Sequence, residues 1–102
     1  MEIFFSNTRT EKFFESIENS MRVQARDGFN LLSRYAYNLK MPLSRPIGNG
    51  LFELRIIGSR HIRFIYIFRQ GSIYMLHGFF KKSNKILKKD INYAKKQAKL
   101  LQ

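Results

Sequence analysis

The chain of 102 residues contains no cysteine and no tryptophan, and only two prolines, two histidines and seven acidic residues. The lack of cysteine excludes a disulfide framework, a thiolate zinc site and a cysteine nucleophile. His61 and His77 alone cannot build a three-histidine metal centre, and no paired acids offer a carboxylate-bound ion. Neither a metal nor another cofactor is therefore expected. Apolar runs fall far short of the roughly 20 residues that span a bilayer. The acidic, aromatic start lacks the basic and then apolar pattern of a signal peptide, so the expected location is cytoplasmic. No G-x-S-x-G or comparable nucleophile setting occurs, which removes support for hydrolysis through an acyl-enzyme.

What the chain does have is positive charge and aromatic residues. It carries 19 Lys and Arg for a net charge of +12, with ten Phe and five Tyr in a 44% hydrophobic composition. The apolar content is ample for a packed interior, and the length suits one domain, residues 1–102, because two halves would each be too small to bury a core. The charge is uneven. Residues 1–30 hold five acids and four bases, a net of −1, so the other 72 residues carry +13. Such a concentration costs self-repulsion on folding and points to an anionic partner.

Periodicity divides the chain at a loop. Glu2 to Ser6 reads as a short strand, and Thr8 with Glu11 forms a capping box for a helix whose stripe is Phe13, Phe14, Ile17 and Met21. Ser20 is the expected cap of a second helix striped by Leu32, Tyr35, Ala36 and Leu39, with a possible break at Gly28. Met41 to Gly50, with two prolines and two glycines, is expected to be a loop. Three strand-like runs follow, Leu51 to Ile57, His61 to Arg69 and Ser72 to Lys82. The short turns at Gly58-Ser59 and Gln70-Gly71 make them an antiparallel meander, since a parallel pairing needs a longer crossover. In the middle run Ile62, Phe64, Tyr66 and Phe68 alternate with His61, Arg63, Ile65 and Ile67. One face is expected beneath the helices and the other to form a cleft. Leu87, Ile91, Ala94, Ala98 and Leu101 define a C-terminal helix flanked by lysines. The fold class is α+β.

Three cationic features converge in this meander: Arg55 on the first strand, Arg63 on the second, and Lys81, Lys82 and Lys85 where the third ends. An Arg within an apolar strand must find an anion or expose itself. Glu53 is the only acid of the sheet region. The stretch FFKKSNKILKK, residues 79–89, sets five lysines beside Phe79 and Phe80. Basic and aromatic residues so mixed suit phosphates and stacked bases, which makes Lys85, Lys88, Lys89 and Phe80 candidate RNA contacts; the alternative is a solvated helix start. His77, in an apolar strand, is either a satisfied core histidine or a general acid–base, and Tyr66 is expected in the core with its hydroxyl at an edge. Arg and Lys without metal or carboxylates suit one reaction well. RNA supplies its own 2′-OH nucleophile, cations stabilise the anionic phosphorane, and a Lys among other cations can act as base. The products would be a 2′,3′-cyclic phosphate and a 5′-hydroxyl.

The succession LFELR, HIRFIY and MLHGFFKKSNK ahead of KKDINYAKK resembles the C-terminal half of the RelE/ParE superfamily, and most of all its HigB-like, phage-associated branch. The likeness covers about residues 50–102. It implies a RelE-like fold: an N-terminal strand, a two-helix hairpin, a three-stranded antiparallel meander and a C-terminal helix. It also implies the toxin of a toxin–antitoxin pair, a ribosome-dependent mRNA interferase that cuts mRNA in the ribosomal A site and is neutralised by a helix-turn-helix, HigA-like antitoxin. The catalytic positions so implied are Arg55 for phosphate orientation, Arg63 and Lys82 for the phosphorane, and Lys81 with Lys85 for proton transfer or phosphate contact. His77 and Tyr66 stand behind them as supporting candidates. Where the branch has Lys-Thr-Pro before the last helix, this chain reads Lys85-Ile86-Leu87, which removes the cap and the proline. Competing readings are a ParE-like inhibitor of DNA gyrase and a non-catalytic nucleic-acid-binding relative acting as co-repressor. A membrane partner ranks last, because the last helix has a largely Ala apolar face.

Overall fold

Hydrophobic periodicity and two tight turns lay out the chain in the computed structural model, which describes residues 1–56, 58, 61–82 and 84–101. In order the elements are β1 (Ile3–Phe5), α1 (Thr8–Ser16), α2 (Asn19–Tyr35), a short 3-10 turn (Ala36–Asn38), β2 (Ser44–Gly48), β3 (Leu51–Arg55), β4 (Ile62–Arg69), β5 (Ser72–Phe80) and α3 (Lys88–Leu100). The five strands form one sheet in the order β1-β5-β4-β3-β2. β1 runs parallel to β5, and the other neighbours are antiparallel. The α+β class, the meander and the terminal helix are as the sequence indicates, and the whole is compatible with a RelE-like fold.

Several local expectations need correction. Residues 44–48, expected as loop, form an edge strand, where Pro46 is tolerated because an edge can do without one N–H. Asn49 and Gly50 have φ of 57° and 77°, the paired positive values of a primed hairpin turn, and they join β2 to β3. Helix α1 is capped by Asn7 rather than Thr8: the Asn7 side chain accepts a hydrogen bond from Thr10 N at 2.8 Å. Helix α2 begins at Asn19 with Glu18 at its cap position, so Ser20 lies inside it, and it runs through Gly28 without a break. The first meander run ends as strand at Arg55 and the third at Phe80. Ile57 of the first run and Ser59 of the expected turn lie outside the described residues.

The sheet has two apolar faces. Phe14, Ile17, Ala25 and Leu32 of the helical hairpin pack on Leu54, Ile62, Phe64, Tyr66, Ile73 and Met75, while Leu51, Ile65, Ile67, Leu76 and Phe79 pack under Ala94 of α3. The second face is thus partly roofed by α3 instead of being an open cleft. Burial of each large apolar side chain stabilises the fold by about 1.5–3 kcal/mol before chain entropy is counted.

A bulge in β5 positions the candidate residues. Ile65 pairs with His77 but Tyr66 pairs with Met75, which leaves Leu76 without a partner across the ladder. Alternation therefore slips by one residue. Leu76, His77 and Phe79 all turn to the α3 face, although Ile73 and Met75 face the hairpin. The Leu76 carbonyl accepts from Asn7 Nδ2 at 2.9 Å and from Thr10 Oγ1 at 3.0 Å, so the residue that caps α1 also satisfies the bulge. Beyond the slip Gly78 faces the hairpin, where a Cβ would lie 2.6 Å from Phe13 Cδ2 and 2.8 Å from Phe64 Cε1. Gly78→Ala is expected to cost about 1–3 kcal/mol by overpacking against the fully buried Phe64, measurable as a lower urea midpoint at unchanged slope.

Candidate functional site

On the α3 side of the sheet, β2, β3 and β4 each bring arginine to one buried carboxylate. Arg45 lies opposite Glu53 in the β2–β3 register, and Arg55 lies opposite Arg63 in the β3–β4 register. Arg45 Nε donates to Glu53 Oε1 at 2.9 Å and Arg55 Nε donates to the same oxygen at 3.3 Å. Arg63 Nε stands 3.5 Å from Glu53 Oε2, an ion pair without a hydrogen bond, while its Nη1 donates to the Ile62 carbonyl at 3.1 Å. Glu53 is fully buried, and the arginine side chains are 36%, 27% and 11% exposed in the order Arg45, Arg55, Arg63.

The group is electrostatically incomplete. Three guanidiniums share one carboxylate, so two positive charges are in excess. Among the described residues, Arg63 Nε and Glu53 Oε2 are buried side-chain atoms without a hydrogen-bond partner. Burial lowers the pKa of Arg63, as do Arg55 and Arg45, against the opposing pull of Glu53. An arginine so placed gains from any anion that reaches it, and Arg45 and Arg55 leave an approach from solvent.

A second basic feature lies at the far edge of β5. His77 is buried there, its ring stacked on Phe79 with centroids 5.0 Å apart, and His77 Nε2 lies 2.7 Å from Asp90 Oδ1 of α3. A carboxylate only accepts, so the neutral imidazole donates through Nε2 and keeps Nδ1 as an acceptor. Burial lowers the His77 pKa; Asp90 opposes this, and Arg9 and Lys89 add to it. His77, Phe79, Phe80, Lys82, Lys89, Asp90 and Arg9 line one cavity, while Lys81 and Lys82 line a neighbouring hollow with His61 and Asn84.

The structure therefore brings Arg55 and Arg63 together, and it gathers Lys82, Lys89, Phe80 and His77 around the other feature. Phe79 lies between, opposite Arg63 in the β4–β5 register. Lys81 follows the strand, its N–H bonded to the His61 carbonyl at 2.6 Å, and Lys85 and Lys88 are exposed beyond it. Tyr66 lies in the core as expected, but not at the site for which it was a supporting candidate: it is buried on the opposite face, stacked with Phe52, and its hydroxyl bonds to Ser44. Burial raises its pKa. Even-numbered β4 residues face the helical hairpin, so Tyr66 cannot reach the arginines through the sheet. Phe80 also turns off the arginine face, because the bulge points it towards Phe13, 5.3 Å away between ring centroids.

Sequence reasoning missed Arg45, Asp90 and Arg9. The signal for Arg45 was only partial: a regular hairpin closed by Asn49-Gly50 would set residue 46 opposite residue 53, and the register shift between Pro46 and Gly48 puts Arg45 there instead. Asp90 had a signal as well, being the one acid after Glu53 in the chain. Arg9 had none, since only packing carries α1 to the edge of β5. Leu87 stands at the N-cap of α3 without a side-chain cap, in keeping with the missing Lys-Thr-Pro.

The geometry defines a small α+β protein with an arginine-rich sheet face. A model of the phage-derived protein Gp49-like (DUF891) family matches residues 12–99, and the chain belongs to that family. No curated protein matches it. Among the described residues, no helix is long and apolar enough to cross a membrane.

Two expectations follow from this electrostatic arrangement. Glu53→Gln keeps the shape of the side chain but removes the charge common to three guanidiniums. It is expected to lower stability by about 3 kcal/mol in urea denaturation, with phosphate restoring part of the loss. The folded-state pKa of His77 lies below its ordinary 6.5, so below that pH the unfolded chain binds more protons than the native state. The stability contribution of neutral His77 is then complete above pH 6.5 and lost as the pH falls through the depressed value. Urea titrations at stepped pH should show a steeper acid loss for the wild type than for His77→Gln.

Proposed function

We propose that the protein is the toxin of a type II toxin–antitoxin pair, a metal-independent endoribonuclease acting on mRNA in the ribosomal A site. The observation that carries this reading is the excess of two positive charges at the arginine cluster. A phosphodiester has one negative charge and the phosphorane formed from it has two. A preorganised site with an excess of two therefore favours the transition state over the ground state, which is the condition for catalysis rather than binding alone. A gyrase inhibitor of the same fold would need no such match.

In this reading the 2′-oxygen attacks phosphorus in line, the bond from phosphorus to the 5′-oxygen breaks, and a cyclic phosphate remains. Arg55 and Arg45 orient the phosphate. Arg63, already desolvated and short of hydrogen bonds, stabilises the equatorial oxygens together with Lys82. Lys81 and Lys85 take the proton from the 2′-hydroxyl and deliver one to the leaving 5′-oxygen. The cognate antitoxin, a helix-turn-helix protein of the HigA type, would neutralise the toxin by laying an acidic segment over the same face, with a carboxylate in place of the phosphate.

Arg63→Ala and Lys82→Ala are each expected to reduce cleavage of translated mRNA by roughly 100-fold or more, with the fold intact, as when one preorganised charge donor is removed from a transition state. End mapping should find 2′,3′-cyclic phosphates, and a 2′-deoxy substitution at the cut site should block the reaction. Undiminished cleavage by both variants, or growth arrest accompanied by altered DNA supercoiling and intact mRNA, would rule the reading out.

A further inference from the structure

β1 pairs with β5 only at Ile73, Tyr74 and Met75. Further along β5 that edge is open, and α1 and the start of α3 enclose beside it a cavity of about 300 Å³. The size is at the lower end of small-molecule sites, about 300–1,000 Å³. Phe13, Phe79 and Phe80 supply apolar wall, and Arg9, Lys82 and Lys89 supply positive charge. Asp90, the one acid of the lining, is already bonded to His77. Arg9 is held in place by the Tyr93 ring, 4.5 Å below its guanidinium carbon, and Tyr93 in turn donates its hydroxyl hydrogen to Asn7 Oδ1 at 3.2 Å. Such a lining selects a ligand that combines an anion with a flat apolar body. It also offers one acceptor, His77 Nδ1, which has no hydrogen-bond partner among the described residues.

We propose that this cavity is a nucleotide subsite. Lys89 and Arg9 hold the phosphate next along the strand from the scissile one, and the base packs on Phe80 and Phe13. His77 Nδ1 accepts a hydrogen bond from a ribose hydroxyl or a base amino group. Register supports the link between the two places. Phe79 is both a wall of the cavity and the cross-strand partner of Arg63. One strand spacing of about 4.8 Å therefore lies between the arginine strand and the strand that borders the cavity. The inference rests on the RNA reading for its choice of ligand.

The test is an amide chemical-shift titration of the whole chain with adenosine 3′-monophosphate, and in parallel with inorganic phosphate. The nucleotide is expected to shift Gly78, Phe80, Lys82 and Lys89 saturably and to bind at least tenfold more tightly than phosphate. Lys89→Ala and Phe80→Ala, both at exposed positions, should each weaken it by about tenfold, as for one charge-assisted contact or one stacked base. Equal affinity for phosphate and nucleotide, shifts confined to Arg45, Arg55 and Arg63, or undiminished binding by both variants would overturn the subsite. Each of those results leaves the cleavage experiment with Arg63→Ala to stand on its own. Conversely, nucleotide binding by a chain that cuts no RNA would refute the cleavage reading and keep the subsite.

Discussion

The buried carboxylate of Glu53 is the interaction on which the arginine face depends. Without a negative charge at that point, three arginines on neighbouring strands would repel one another in a medium that screens them poorly. With it they are drawn to a common centre but not neutralised, because one charge cannot serve three. Full pairing would make a structural ion cluster with no reason to bind anything. The deficit leaves the face short of negative charge, and the depth of Arg63 gives that shortage a definite position.

The β5 bulge is the second constraint. A regular strand would have pointed His77 into the helical hairpin with Ile73 and Met75, and Gly78 towards α3. The extra residue at Leu76 exchanges these directions, so that His77 meets Asp90 and a glycine lies where Phe13 and Phe64 leave no space. The bulge is itself secured from outside the sheet, by Asn7 and Thr10 on the carbonyl of Leu76. The cap of the first helix and the placement of a histidine some seventy residues later thus belong to one hydrogen-bonded unit.

These devices leave two basic centres of different character. The arginine cluster holds a fixed, partly desolvated charge with planar groups suited to phosphate oxygens. At the edge of β5 the charge comes mainly from exposed side chains beside aromatic walls. Because α3 roofs the face between Ala94 and Leu101 while its first turn supplies Lys89 and Asp90, the helix contributes packing at one end and polar groups at the other. With no side-chain cap before α3, that first turn is held by Asp90 on His77 and by Ile86 packed against the core.

Much of this was legible without coordinates. Alternation in residues 61–69 marked a strand buried on both sides, the step of three and four in residues 87–101 marked the last helix, and the confinement of +13 to the last 72 residues located the half that holds the arginine cluster. Arg55 and Arg63 followed as neighbours, since short turns force antiparallel pairing. The partnership of Arg45 with Glu53, the union of His77 with Asp90, the arrival of Arg9 at β5 and the removal of Phe80 from the arginine face did not follow. Each depends on register or on helix docking, and a slip of a single residue reverses every side chain beyond it. Sequence by itself determined which groups carry charge and which segments alternate, because those are local properties of composition and period. Only the tertiary structure decided which charges meet, because that is settled by the register shifts in β2 and β5 and by three packed helices acting between residues far apart in the chain.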